Sequence, residues 1–486
     1  MKSAERAREI APQGERDPGA GLRQRAFRGG AFLLGRQVFG VVLAMIGEPL
    51  IARVIGPAEY GIWVAAVGMF VYSRGIGSCG IEVYLMRKEG RLGRDESDQA
   101  FTLLAAFALI GLAIALSLFP LAQLWMKLAG FSRVAAALLL ALPISLTALV
   151  PLAILERSLD YQTVATAEIG SRVVFYAVAL TLVFEGWGVW GLVGAWWLQQ
   201  LFVATFYFSA TQYRPRLSFE SSKAREIVGY GFGYSLSTWI YQLRILVNPL
   251  VVGRYAGAAA VGYVGLAERL VSALGFAKGA AWRIAIPLMG RLQHDKQRMA
   301  RAISEGMTIQ GLALAPLLLG LSLVLAPVLR FFFGMRWLPV VQIYPFVGTL
   351  FLVNSIFALH ASALYALRRN GQMVRFELVY VGMLVGAALF VVPRIGWLGY
   401  GWAELLATPS YAILHMYLAR DIGSPSYRFA GTLVAAFTAA LFWRWLGPAC
   451  FAGLLGLALW PTTWKVLKGY LLELMASIRT PQGSET

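Results

Sequence analysis

Five arginines, Arg36, Arg74, Arg244, Arg269 and Arg283, each lie inside a long apolar stretch. A guanidinium keeps its charge at any physiological pH and presents a planar fork of donors that matches phosphate oxygens. At mid-bilayer an arginine costs about 2.5–3.5 kcal/mol on insertion scales, so such residues face a bundle interior or a wet cavity. With few acids close by in sequence, they read as the lining of a cavity for a large anionic cargo, bound and released without covalent chemistry. In the stretch 227–252, Ser237, Tyr241, Arg244 and Asn248 recur at helical spacing and make one polar stripe. In the next, Arg269, Phe276 and Arg283 lie near one face, with Ser272 and Gly279 alongside and Lys278 opposite. The candidate binding residues are therefore Arg36, Arg74, Arg244, Arg269, Arg283, Tyr241 and Asn248.

The opposing reading is that these arginines neutralise buried acids. Glu48, Glu82 and Glu268 can partner Arg36, Arg74 and Arg244, and Glu168 precedes Arg172 by the favourable four residues. The Glu168–Arg172 pair is expected to be structural. Glu404 and His415 share a helical face and are the candidate coupling residues for an ion, while His360 and His415 each read first as hydrogen-bonded packing residues. Pro143, Pro151, Pro287, Pro316 and Pro345 fall within or near spans and are expected to kink them. The chain shows no Gly-rich phosphate loop, catalytic triad or metal-ligand spacing, and Cys79 and Cys450 are isolated. Neither an enzyme nor a metal or other cofactor is expected.

Composition sets the class of the elements that position these side chains. Of 486 residues, 58% are hydrophobic and only 14% charged, against about 45–50% and 25% in soluble domains. The expectation is an all-α polytopic membrane protein. A span needs about 20 mainly apolar residues. That template gives about 14 transmembrane helices, near 29–52, 60–86, 100–124, 134–155, 164–184, 188–210, 227–252, 259–288, 304–329, 338–366, 374–392, 397–419, 429–446 and 449–467. Connections are short, so no separate extramembranous domain is expected. The net charge of +18 sits mostly in short loops, which is topogenic charge rather than a nucleic-acid footprint. Basic loops at Arg87–Arg94, Arg214–Arg225, Arg291–Arg301 and Arg368–Arg375 alternate with loops holding one or two cations, such as Arg53, Arg254 and Arg394. Residues 1–28 are polar, and the apolar run after them is too long for a signal-peptide core. Both termini, the tail 1–28 and the tail 468–486, are expected in the cytoplasm.

The chain also repeats itself. Glu48-Pro49-Leu50-Ile51-Ala52-Arg53-Val54-Ile55-Gly56 resembles Asn248-Pro249-Leu250-Val251-Val252-Gly253-Arg254-Tyr255-Ala256-Gly257, and each is followed by a glycine, Gly61 or Gly262, opening the next span. An offset of about 200 residues, or about six spans, relates two parallel copies. The organisation expected is two parallel six-helix lobes, 29–210 and 227–420, plus two extra C-terminal helices within 428–467.

Leu50-Ile51-Ala52-Arg53-Val54-Ile55-Gly56-Pro57-Ala58-Glu59-Tyr60-Gly61-Ile62-Trp63 resembles the first loop of the Wzx-type polysaccharide transporters of the multidrug/oligosaccharidyl-lipid/polysaccharide exporter superfamily. Glu156-Arg157-Ser158-Leu159-Asp160-Tyr161-Gln162 leading to Gly186-Trp187-Gly188-Val189-Trp190-Gly191-Leu192-Val193, Val261–Arg269 and the turn from Pro393 to Gly401 carry the likeness over most of 25–420. It implies lobes around a V-shaped cavity, alternating access, and a polyprenyl-pyrophosphate-linked oligosaccharide as cargo in the bacterial inner membrane. Further implied partners are membrane lipids and polysaccharide polymerase or export machinery. Arginines of the first, second and eighth spans line the cavity in related flippases, and Arg36, Arg74 and Arg269 occupy those spans here. The two extra helices also occur in the peptidoglycan-precursor branch, which is one alternative cargo; a drug or cation antiporter, whose cavity acids rather than arginines would dominate, is the other.

Overall fold

The computed structural model describes residues 18–88, 90, 92–126, 128–275, 289–466 and 468–469, leaving out the side chains of 18–38, 233 and 234. Arg283 lies outside the described residues, as do Phe276, Lys278, Gly279 and Pro287; Arg36 lies in a helix, but its side chain is outside the described set.

Every described element is a helix. Among the described residues eight helices are long and apolar enough to cross a membrane, from Phe39–Ser78 and Arg94–Met126 to Val340–Ala366 and Asn370–Ile395. The chain is a polytopic membrane protein. Lipid replaces water as the surrounding solvent, so apolar side chains need not be inside: Ile110, Ile114, Leu121 and Leu124 are all exposed on Arg94–Met126. Shorter runs such as Leu398–Ala407, Tyr411–Ile422 and Arg428–Leu441 complete the C-terminal half. Pro316 and Pro345 are inside helices, as expected, and so are Pro120, Pro327 and Pro393.

The helix Pro18–Ser78 is two helices joined at Gly56, whose φ of 76° and ψ of 174° end the first. Pro57 then starts the second with its φ already set and no N–H to orphan. The same turn recurs at Gly257, with φ 83° and ψ 176°, before the helix Ala258–Ala273. Only glycine enters that region cheaply. The two turns are also joined. A Cβ on Gly61 would lie 1.8 Å from the Ala258 carbonyl oxygen, and one on Gly262 would lie 2.3 Å from that of Pro57. The repeated glycines thus bring the two repeated helix starts into backbone contact.

Between them the helix starting at Ser221 is not uniform. It breaks after Gln242, restarts at Arg244, and runs through a π-helical turn over Asn248–Val252 containing Pro249. A π turn inserts a residue into the α repeat. The stripe expected from Ser237 to Asn248 is thus interrupted at Leu243, and the π turn begins at its last member.

By packing, the chain forms two compact units. The first takes the chain up to Val54 with Ser73–Leu118 and Arg133–Ser235; the second takes Ile55–Tyr72, Phe119–Ser132 and the chain from Leu236. In the first, the helices Tyr161–Phe184 and Val189–Thr211 pair closely, and Leu155, Val164, Ala167 and Tyr207 form a buried cluster. In the second, Trp337 is fully buried edge-on to Tyr60, with ring centroids 5.2 Å apart.

Candidate functional site

The first unit holds Arg74. It is half-buried, and its Nε donates to Ser145 Oγ at 2.8 Å. Ser145 is buried on the short helix Leu142–Thr147, which Pro143 opens. The bond is to a neutral hydroxyl, so it orients the guanidinium without cancelling its charge. Glu82, the acid suggested as its partner, accepts from Ser78 Oγ at 3.2 Å through Oε1, and its charge acts on Arg74 as well. Glu48 is buried and accepts from the Tyr176 hydroxyl at 3.3 Å. The contact that Arg172 shows is with the backbone at Gly40, where a Cβ would meet its Nη1 at 1.7 Å. The Arg172 side chain thus lies against a position where only a glycine leaves room for it.

The second unit holds Arg244, Tyr241, Asn248 and Arg269. Arg244 lies over the Tyr241 ring, Cζ 4.7 Å from the centroid. It lines a cavity of about 180 Å³ with Glu268, Ser272, Asn354, Tyr400 and Glu404. The Tyr400 hydroxyl donates to Glu268 Oε1 at 2.9 Å, and that of Tyr380 to Glu404 Oε2 at 3.3 Å. A second cavity of about 250 Å³ shares Asn354 with the first and is lined by Ser237, Tyr241, Phe376, Glu377, Tyr380 and Tyr411, among others. Glu377 is buried there, and its Oε2 has no hydrogen-bond partner among the described residues. The arginine-dominated lining expected from sequence is therefore not what these cavities have. Three glutamates line the two cavities with one arginine: Glu268, the partner expected for Arg244 from sequence, and Glu377 and Glu404, which arrive on helices far along the chain.

Asn248 is buried, and its Nδ2 donates to the Val261 carbonyl at 3.4 Å, which ties it to the next helix rather than to either cavity. Arg269 is exposed, with Nη1 3.5 Å from the Tyr60 hydroxyl. Glu404 and His415, expected on one face, serve different clusters, since the 3-10 turn Thr408–Ser410 interrupts the helix between them. Glu404 lines the Arg244 cavity. His415 Nδ1 is instead 2.7 Å from the Tyr427 hydroxyl, which also meets His360 Nε2 at 2.5 Å.

This His–Tyr–His chain has one economical arrangement. His360 is fully buried, and its Nδ1 has no partner among the described residues. An orphan lone pair is less costly than an orphan N–H, so we assign the proton to Nε2, donating to Tyr427. Tyr427 then donates to His415 Nδ1. Tyr427→Phe strips both histidines of their partner, and the expected cost is about 1–3 kcal/mol per orphaned group. Thermal unfolding of the purified protein in detergent checks this, and an unshifted midpoint excludes the chain as a structural element.

Glu377, Tyr380, Tyr400 and Tyr411 were not singled out from sequence. A signal existed: Tyr400 and Glu404 are four residues apart, as one helix face requires, inside an otherwise apolar run.

Solved structures of the same fold place the chain in a class. The lipid II flippase MurJ in an inward closed conformation superposes with a TM-score of 0.67 at 13% identity, covering 93% of this chain and 98% of that one. An inward-facing multidrug resistance MATE family transporter of the MOP superfamily superposes at 0.63 with 15% identity, covering 78% and 95%. At such identities the likeness is one of fold. A family model described as polysaccharide biosynthesis protein matches residues 50–342, and the chain belongs to that family. Its relatives include the succinoglycan biosynthesis transport protein ExoT of Rhizobium meliloti (strain 1021), 24% identical over 319 residues that make up 65% of this chain and 63% of that protein. The lipopolysaccharide biosynthesis protein WzxC of Escherichia coli (strain K12) is 24% identical over 227 residues, 46% of each chain. The matches thus span less than two thirds of either relative's length.

Proposed function

We propose that the chain is a flippase carrying a polyprenyl-pyrophosphate-linked oligosaccharide from the cytoplasmic to the periplasmic leaflet of the bacterial inner membrane, for exopolysaccharide or O-antigen-type synthesis. The observation that carries the reading is membership of the polysaccharide biosynthesis family in a chain whose fold is that of a lipid-precursor flippase. In this reading fourteen helices form two parallel six-helix lobes, 29–210 and 227–420, with two further helices in 428–467 and both termini cytoplasmic. Arg36, Arg74, Arg269 and Arg283 are assigned to the cargo's pyrophosphate and sugars. Arg74 fits best, because its described side-chain bond is to a neutral hydroxyl, with Glu82 as the acid whose charge it shares. Arg244 and Tyr241 are assigned to the internal network with Glu268 and Glu404, and Asn248 to helix pairing. No covalent step is involved. Two negative charges moving outward gain about 4.6 kcal/mol per 100 mV, inside negative, so the membrane potential is a sufficient bias.

Two measurements test this. In binding to purified protein in nanodiscs, a pyrophosphate-lipid analogue competes with the cargo and a neutral, phosphate-free glycolipid does not. Arg74→Ala is expected to cost about 1.5–3 kcal/mol of that binding while leaving protein level unchanged. The carboxylate-lined cavities favour one second reading, a cation antiporter, and equal competition by the neutral glycolipid or by a cationic drug decides for it. In the topology test, accessibility tags after Arg91, Arg216, Arg298 and Arg369 report the cytoplasm, and tags near Pro57, Gly257 and Met335 report the outside. Any tag of the first group labelled from outside overturns the helix count.

A further inference from the structure

At one end of the first unit a groove of about 660 Å³ is lined by Arg94, Arg157 and Arg214, with Ser97, Ser158 and Gln212 among its polar members and no acid among the described residues of its lining. The three cations come from separate elements. Arg94 opens the helix Arg94–Met126, Arg157 closes the helix Leu149–Arg157, and Arg214 follows the helix Val189–Thr211. Arg157 is fixed by donating Nη1 to the Leu85 carbonyl at 2.8 Å and Nη2 to that of Gly90. Carbonyls orient a guanidinium without neutralising it. Arg94 donates to the Arg214 carbonyl at 3.4 Å, and its Nε is 4.0 Å from Asp98 Oδ2, so one charge is partly offset. Arg214 projects into the open, exposed.

One wall of the groove is the start of an extended strap, residues 212–220, pinned to the helix Arg94–Met126 by alternate backbone amides. The amide of Arg216 donates to Asp98 Oδ1 at 3.2 Å, that of Ser218 to Thr102 Oγ1 at 3.0 Å, and that of Glu220 to Gln99 Oε1 at 2.8 Å. The Tyr213 hydroxyl adds a bond to Asp98 Oδ1 at 2.7 Å. Burial and that bond hold the Tyr213 phenol well above its usual range, so it stays a donor. The strap holds Leu217 and Phe219 81% and 71% exposed. A soluble anion site has no use for two outward apolar side chains at fixed positions beside it. A lipid does, since its phosphate needs cations and its acyl chains need apolar contact.

We propose that this groove binds the phosphate headgroup of an anionic membrane phospholipid, with Arg94, Arg157 and Arg214 at the phosphate and Leu217 and Phe219 among the acyl chains. The site is separate from the cargo site and does not depend on which cargo is carried. It needs only that this end of the unit meet a membrane surface.

The test uses the full chain purified in detergent, with retained lipid counted by native mass spectrometry after addition of phosphatidylglycerol or phosphatidylcholine. Phosphatidylglycerol is expected to be retained in preference. Arg214→Glu and the milder Arg214→Gln, both at an exposed position outside the helices, are expected to weaken that retention about tenfold, the loss of one charge-assisted contact. The double variant Leu217→Ser, Phe219→Ser weakens phosphatidylglycerol while leaving binding of inorganic phosphate unchanged. Arg74→Ala keeps the lipid, which separates this site from the cargo site. Equal retention of the two lipids, or full retention in both Arg214 variants, overturns the proposal. Equal displacement by inorganic phosphate in the wild type and in the Leu217, Phe219 variant makes the groove a soluble-anion site instead. Loss of the lipid in Arg74→Ala places it elsewhere and likewise overturns the assignment.

Discussion

Arg244→Ala is expected to destabilise the protein by about 3–5 kcal/mol, the cost of leaving buried charge without its counter-charge. Arg244 is the cation in a lining that also carries Glu268 and Glu404, each held in place by a tyrosine hydroxyl. With the guanidinium gone, the carboxylates must bind protons, admit water or repel one another. The double variant Arg244→Ala, Glu404→Gln is therefore expected to recover part of the loss. The measurement is the thermal midpoint of the detergent-purified protein for the wild type, both single variants and the double. A single variant that melts like the wild type yet loses cargo binding would return Arg244 to the set of cargo contacts.

Gly61→Val has the second large effect, and it arises from backbone rather than charge. A Cβ at that position overlaps the Ala258 carbonyl, and no rotamer change moves a carbonyl out of the way. Overpacking ordinarily costs about 1–3 kcal/mol, and here the upper end or more is expected because the obstacle is main chain. Gly262→Val should match it, since its Cβ meets the Pro57 carbonyl in the same crossing. Gly382→Ala is the control. Nothing lies within 4 Å of its missing Cβ, and alanine favours its helix. Monodisperse yield in size-exclusion chromatography compares the three. Wild-type yield from both valine variants would mean the crossing opens freely.

The membrane class is legible because it is written in composition, and the recurring turn because Gly56 and Gly257 adopt one unusual backbone shape that tolerates few other residues. The electrostatics are not. Glu268 is the partner that proximity in sequence offers Arg244, and it shares the cavity, but Tyr400 and Glu404, more than a hundred residues on, complete the environment. An apolar run announces that it is buried but not what it is buried against. Asn248 leaves the stripe's cavities for a local reason, since its Nδ2 bonds the Val261 carbonyl of the next helix.

Tyr427 belongs neither to the helix Tyr411–Ile422 before it nor to the helix Arg428–Leu441 after it, yet its hydroxyl bonds one ring nitrogen of each of two histidines in the earlier part of the chain. Ser426 adds a bond from its amide to Ser304 Oγ at 2.8 Å. The last helices are thus not a detachable module. A chain cut at Gly423 would expose an unfinished surface where His360 is now wholly enclosed.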